Sequence, residues 1–200
     1  MPLCRVLLTV LLGCTAAAAV TAPVEIVDDR GMHLRLARPA QRVVTLAPHL
    51  TELVFAVDGG DRVVGVVRGS DYPDAAGALP QVGDAASIDF ERLILLRPTL
   101  VLAWGSGNRG IDVARLERLG IPVLVLEPRR LADVARHLRL LGRVLGTGER
   151  ADAAARAFDA RVASLREKYG GRPPLRVLFE AWHQPLITVR GAHLISDVLA

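Results

Sequence analysis

The stretch RVVTLAPHLTELVFAVDGGDRVVGVV, Arg42 to Val67, decides the fold. Its first run, Val43-Val44-Thr45-Leu46, is β-branched and apolar and reads as a strand ending at Ala47-Pro48-His49. A short helix follows at 50–57, and the next strand spans 63–67. Beyond Arg68-Gly69-Ser70-Asp71-Tyr72-Pro73, a loop with Pro80 and Gly83 leads to a helix at 89–96, which Pro98 ends. A third strand at 100–103 runs into Trp104-Gly105-Ser106-Gly107-Asn108. A helix at 111–119 stops at Gly120. A fourth strand at 123–126 ends at Glu127-Pro128. The helix at 131–145 then places Leu131, Val134, Leu138, Leu141 and Leu145 on one stripe. Strands alternating with helices predict an α/β fold, a parallel-sheet lobe with helices on both faces, because parallel strands need crossover connections. This lobe spans 42–146.

Working outward, 23–41 reads as a hairpin segment turning at Asp28-Asp29-Arg30-Gly31 and closed by Pro39. Residues 147–170 hold a helix without a breaker. Ala151, Ala154, Phe158, Val162, Leu165 and Tyr169 lie at helical spacing on it, and Gly170-Gly171-Arg172-Pro173-Pro174 stops it. It reads as a backbone helix between two lobes. A strand at 176–179 and the first turns of a helix at 191–200 then predict the start of a second α/β lobe, incomplete at 171–200.

The first 22 residues read as a secretory signal. Arg5 precedes an apolar run from Val6 to Val20, and small residues follow. The run is short against the roughly 20 residues of a membrane span. An uncleaved anchor and a lipoprotein are the other readings, the latter from Leu11-Leu12-Gly13-Cys14 with Cys14 lipidated. Cys4 and Cys14 are the two cysteines of the sequence. Cleavage would leave a mature chain without thiol catalysis, cysteine-bound zinc or an internal disulfide. No twin arginine is present, so export of an unfolded chain without a preloaded cofactor is expected.

The 200 residues suffice for one sizeable core or two small lobes, and 51% hydrophobic residues argue against disorder. The net charge is +4, but Arg115, Arg118, Arg136, Arg139 and Arg143 are spread over helix faces rather than massed. No nucleic-acid partner is expected.

Ligands of open parallel sheets sit beyond the carboxyl ends of the strands. That rule selects His49, then Asp71 and Tyr72, then Trp104 and Asn108, then Glu127; Trp182 follows the expected fifth strand. With aromatics only 4% of the chain, two tryptophans past strand ends suggest a large, flat, partly polar ligand. Each reads also as a plug over the sheet end. His49 reads equally as a solvated loop histidine, and Asp71 as a turn former before Pro73. Glu91 lies in a helix first turn, which the helix dipole favours by itself. As a site residue His49 could be a metal or ligand contact, whereas His33, His137, His183 and His193 show no metal spacing. Neither a nucleophile elbow nor a carboxylate pair stands out, so no catalytic residue is expected.

Gly105, Gly107 and Gly110 form G-x-G-x-x-G after a strand and before a helix, with Glu127 ending the next strand. That is the dinucleotide-binding pattern. Against it stand its place in the third βα unit, Trp104 beside the first glycine, and the export signal. An NAD(P)-dependent oxidoreductase is kept as the rival of another class.

Several motifs together carry a family resemblance: Arg42 to Leu53, Val64-Gly-Val-Val67, Ser70-Asp-Tyr-Pro73, Leu79-Pro-Gln-Val-Gly83, Phe90-Glu-Arg92, Leu96-Arg-Pro98, Ala103-Trp-Gly-Ser-Gly-Asn108 and Leu119-Gly-Ile-Pro122. In this order the chain resembles, over 42–200, the periplasmic cobalamin and iron-chelate binding proteins of ABC importers, most closely the cobalamin branch. The resemblance implies two lobes joined by a backbone helix and a ligand held between them, with little hinge closure. It implies a monomer that delivers cobalamin to a permease and needs no cofactor. It matches Trp104 to an aromatic that packs on cobalamin, Asp71 and Tyr72 to a ligand loop, and Glu91 to a carboxylate that docks on the permease. Gly69 and Ala85 stand where relatives carry aromatic residues, so haem and ferric siderophores remain beside cobalamin. A single lobe covers only one face of a corrin, so weak binding is expected of these 200 residues.

Overall fold

The computed structural model describes residues 22–84 and 87–200. The expected signal segment, with Cys4 and Cys14, lies outside the described residues up to Thr21, as does Ala85.

Strands β1 (Val24–Val27) and β2 (His33–Leu36) pair antiparallel, Val27 opposite His33. Their turn is built by Asp28. One carboxylate oxygen accepts the backbone N–H groups of Arg30 and Met32, both at 2.9 Å, and Gly31 takes a φ of 81°. An aspartate that satisfies two turn amides and a glycine in the left-handed region fix a reversal here.

Strands β3 (Val43–Thr45), β4 (Val63–Val66), β5 (Leu100–Trp104) and β6 (Val123–Leu126) form one parallel sheet in the order β4-β3-β5-β6. Val43 lies opposite Leu100, and Val101 opposite Val123. Every residue of β3 and β6 is buried. That is why they read as continuous apolar runs rather than alternating ones. The expected α/β architecture is present.

Helices cover both faces. On one, α1 (Pro48–Ala56) and α5 (Leu131–Leu145) bring Leu50, Val54, Leu141 and Leu145 into a core with Val43, Leu100 and Leu124. On the other, α3 (Phe90–Leu95) and α4 (Gly110–Arg118) bring Leu93, Val113 and Leu116 against Val44, Val101 and Val125. Pro48 opens α1 at a position where its missing N–H costs nothing. A one-turn helix, α2 (Asp74–Gly77), follows β4 and was not expected. Gly146, at φ 71°, ends α5 in the left-handed conformation.

The long helix α6 (Gly148–Tyr169) packs antiparallel-fashion back on α5, where Ala151 and Ala155 are fully buried. Gly142 permits that approach, since a Cβ there would overlap the Cβ of Ala151. Toward its end the apolar stripe emerges, with Leu165 and Tyr169 exposed.

The last segment corrects one expectation. No strand forms at 176–179; Val177 and Leu178 are exposed, and no ladder joins them to a neighbour among the described residues. β-prone residues make a strand only where an edge is offered and a face is buried. A short helix, α7 (Leu194–Leu199), does form and is tied to the start of α5: Asp197 accepts the backbone N–H of Leu131 at 2.7 Å. Among the described residues no helix is long and apolar enough to cross a membrane.

Replacing Gly142 by valine forces α6 off α5 and should destabilise the domain by about 1–3 kcal/mol. The exposed Ala153→Val change should cost well under 1 kcal/mol. Urea unfolding of both variants checks this, and equal midpoints would refute the close-approach account.

Candidate functional site

The carboxyl ends of β3, β4, β5 and β6 all lie along one edge of the sheet, and each is followed by a loop or helix start carrying polar or aromatic groups. Beneath this edge runs a chain of buried hydroxyls. Thr45 and Thr51 share a hydrogen bond of 2.6 Å, and Thr51 donates to the Ser70 hydroxyl at 3.2 Å. These link the end of β3, α1 and the loop after β4. Asp71 and Tyr72 follow Ser70 directly and stand out of the surface, Tyr72 with 68% exposure. Gly69, at φ 86°, makes the bend before them.

Trp104 is the last residue of β5. Its ring lies over Gly107, where a Cβ would overlap the indole six-membered ring. His49, the second residue of α1, meets it edge to face, with centroids 5.1 Å apart and planes at 86°. The ring nitrogens Nε2 of His49 and Nε1 of Trp104 are both buried without a hydrogen-bond partner among the described residues. Burial holds His49 below the ordinary histidine range, and the nearby His137 pushes it the same way. Glu127 partly opposes them. His49 is therefore favoured as the neutral imidazole, an aromatic partner rather than a cation.

The Asn108 amide is bonded within the chain: Oδ1 accepts the Trp104 N–H at 2.7 Å and Nδ2 donates to the Leu46 carbonyl at 2.9 Å. It fixes the backbone of Trp104 and ties β5 to β3. Glu91, the second residue of α3, is exposed beside the exposed Ile94 and Leu95. Trp182 does not end a strand. It belongs to a local turn, bridged to Ile187, with its indole N–H donating to the Gln184 carbonyl at 3.0 Å and 64% of the residue exposed.

The glycine-rich loop has its own explanation. Glu127 accepts from the Ser106 backbone N–H at 2.6 Å and from the Ser106 hydroxyl at 3.0 Å. A Cβ on Gly105 would stand 2.8 Å from the same carboxylate, Gly107 underlies the indole, and nothing lies near Gly110. The loop donor that a pyrophosphate would use thus already holds a carboxylate. An open cleft of about 430 Å3 lies beside it, lined by Asp29, Gly105, Ser106, Glu127, Arg190 and His193.

Sequence reasoning missed the group behind Glu127. Asp29 lies in the hairpin turn. It accepts from the Glu127 backbone N–H at 2.6 Å and from Arg136 at 2.7 Å, and lies 2.7 Å from Nε2 of the fully buried His137. Burial pushes its carboxyl up, but the bonds from His137, Arg136 and Glu127 outweigh this and hold it well below the usual carboxylate range.

A family model described as Periplasmic binding protein matches residues 43–199, and the chain belongs to that family. Among curated relatives, the vitamin B12-binding protein of Vibrio parahaemolyticus is 34% identical over 160 residues, 80% of this chain and 58% of that protein. Among solved structures, the periplasmic vitamin B12 binding protein BtuF of Vibrio cholerae matches with a TM-score of 0.75 at 33% identity, covering 80% of this chain and 63% of that one. A periplasmic heme binding protein from Pseudomonas aeruginosa matches with a TM-score of 0.60 at 29% identity, covering 64% and 46%. The chain thus spans less than two thirds of the length of these proteins.

Asp29 predicts an acid response. Its carboxyl is depressed in the folded chain and ordinary, near 3.9, in the unfolded one. The unfolded state therefore takes up the proton first as pH falls. The stability held by the network is complete above that range and should be lost progressively from about pH 5 downward. Asp29→Asn should flatten this part of a pH profile of unfolding. An unchanged slope would contradict the role given to the network.

Proposed function

We propose that this chain is a solute-binding component of an ABC importer, presenting cobalamin or a related metal chelate to the membrane permease. The observation that carries the reading is the Trp104 platform: an indole laid on a glycine, braced by neutral His49, at the carboxyl edge of a parallel sheet. A flat macrocycle offers such a ring a large apolar face. Family membership and the likeness to vitamin B12-binding proteins support the same ligand class.

In this reading Trp104 and Tyr72 cover part of one ligand face, Asp71 and His49 supply polar edges, and Trp182 contributes from the C-terminal segment. Asn108 acts on the Trp104 backbone. Glu91, on an exposed helix start beside exposed Ile94 and Leu95, docks on the permease. The protein works in the periplasm as a monomer, requires no resident cofactor, and neither makes nor breaks a bond. Haem or a ferric siderophore is the second reading, favoured by the structural likeness to the heme binding protein of Pseudomonas aeruginosa. The oxidoreductase reading is disfavoured because Glu127 occupies the Ser106 N–H.

Equilibrium titration with cyanocobalamin, hemin and a ferric siderophore, followed by indole fluorescence, tests the proposal. A fully covered tryptophan buries about 150–250 Å2. Half of that, at about 25 cal/mol per Å2, is about 2–3 kcal/mol. Trp104→Ala should therefore weaken cyanocobalamin binding about 30- to 150-fold. Preference for hemin or the siderophore would move the assignment to the second reading. Binding of none of the three, or quenching by NADH alone, would refute it.

A further inference from the structure

Glu127 does more than follow a strand. Its backbone is fixed from behind: its N–H donates to Asp29, and the Asp29 N–H donates to the Val125 carbonyl at 3.1 Å. Arg136 and His137, successive residues of α5, hold the same Asp29 carboxylate. The hairpin turn, the end of β6 and α5 therefore meet at the root of Glu127. Its side chain then reaches across to the next loop, where both carboxylate oxygens are used on Ser106. Gly105, between Ser106 and Trp104, lies so close to that carboxylate that a side chain would displace it. On the other side of the turn, Asn108 holds the Trp104 backbone through its amide.

From this arrangement we propose that Glu127 is the positioning residue for Trp104. Its carboxylate clamps the 105–107 turn and so keeps the indole seated on Gly107, ready to receive a flat ligand. The clamp works by hydrogen-bond geometry. A glutamine can reproduce it, with its carbonyl accepting the Ser106 N–H and its amide donating to the Ser106 hydroxyl. An alanine cannot, and the loop amide is left to water. The ligand part of this inference rests on the function proposed above; the seating of the indole does not.

The test uses the full chain carrying Trp182→Phe, so that Trp104 is the one indole left of the two in the sequence. Acrylamide quenching of this ligand-free protein reads how firmly the ring is seated, and cyanocobalamin titration of the same Glu127 and Ser106 variants with Trp182 intact reads the consequence. Glu127→Ala should raise the quenching constant about twofold or more and weaken cyanocobalamin about tenfold, as the loss of the two hydrogen bonds to Ser106 implies. Glu127→Gln should stay close to the parent in both. Ser106→Ala, which keeps the N–H and removes only the hydroxyl, should fall between them and serves if Glu127→Ala does not fold by circular dichroism. Parent-like quenching in Glu127→Ala, or in Ser106→Ala where it stands in, would overturn the clamp. So would a glutamine variant as loose as the alanine one, which would assign the effect to charge. If the chain with Trp182 intact does not bind cyanocobalamin, the proposed function falls, and the quenching series still decides the clamp.

Discussion

The Trp104 indole rests on Gly107 because no Cβ stands in its way, and the rest of the site is arranged around that contact. A ring held only by its own strand end would swing with the loop that follows. Here the loop is fastened on one side by Asn108, which spends its amide on the Trp104 N–H and the Leu46 carbonyl, and on the other by Glu127. His49 closes against the ring edge from α1. The restraints come from the turn after β5, the residue just past β6 and the start of α1, so the position of one aromatic face depends on the packing of several elements of the sheet.

Charge is arranged to serve this. Glu127 can be a rigid anchor because Asp29 holds its backbone, and Asp29 can remain ionised in a half-buried place because Arg136 and His137 are there. The hairpin is thereby joined to the lobe: its turn carries Asp28, which shapes the reversal, and Asp29, which locks it to β6 and α5. Arg30 extends the connection to Glu117 on α4, at 2.9 Å. Two adjacent aspartates thus do separate jobs, one local and one between elements 108 residues apart in the chain.

What the sequence made legible was what depends on local pattern. The fourth strand and the long helix after it have the bounds that hydrophobic periodicity predicts, Val123–Leu126 and Leu131–Leu145. The hairpin follows from its turn residues, and the strand-end rule places His49, Asp71, Tyr72, Trp104 and Glu127 along one edge. What it hid were pairings across distance. Nothing near Asp29 announces Arg136 and His137, and nothing near Ser106 announces that Glu127 fills its donors. The G-x-G-x-x-G spacing points to phosphate for the same reason: Gly105 and Gly107 do serve close approach, but the approaching groups are a carboxylate and an indole of the chain itself. At 176–179 local propensity points to a strand, but no ladder adjoins the segment among the described residues and Val177 and Leu178 are exposed. The type of Asn108 is legible in the sequence, but its bonds to the Trp104 N–H and the Leu46 carbonyl are not.

The central claim is that a ligand lies on the sheet edge floored by Trp104. Hydrogen–deuterium exchange of the chain with and without cyanocobalamin tests it most directly, since it locates the contact without altering any residue. The account predicts slowed exchange at the loops 69–72 and 104–108, with the hairpin strands and the far ends of β3 and β5 unchanged. Protection confined to other surfaces, or no protection at concentrations that saturate the fluorescence change, would contradict it.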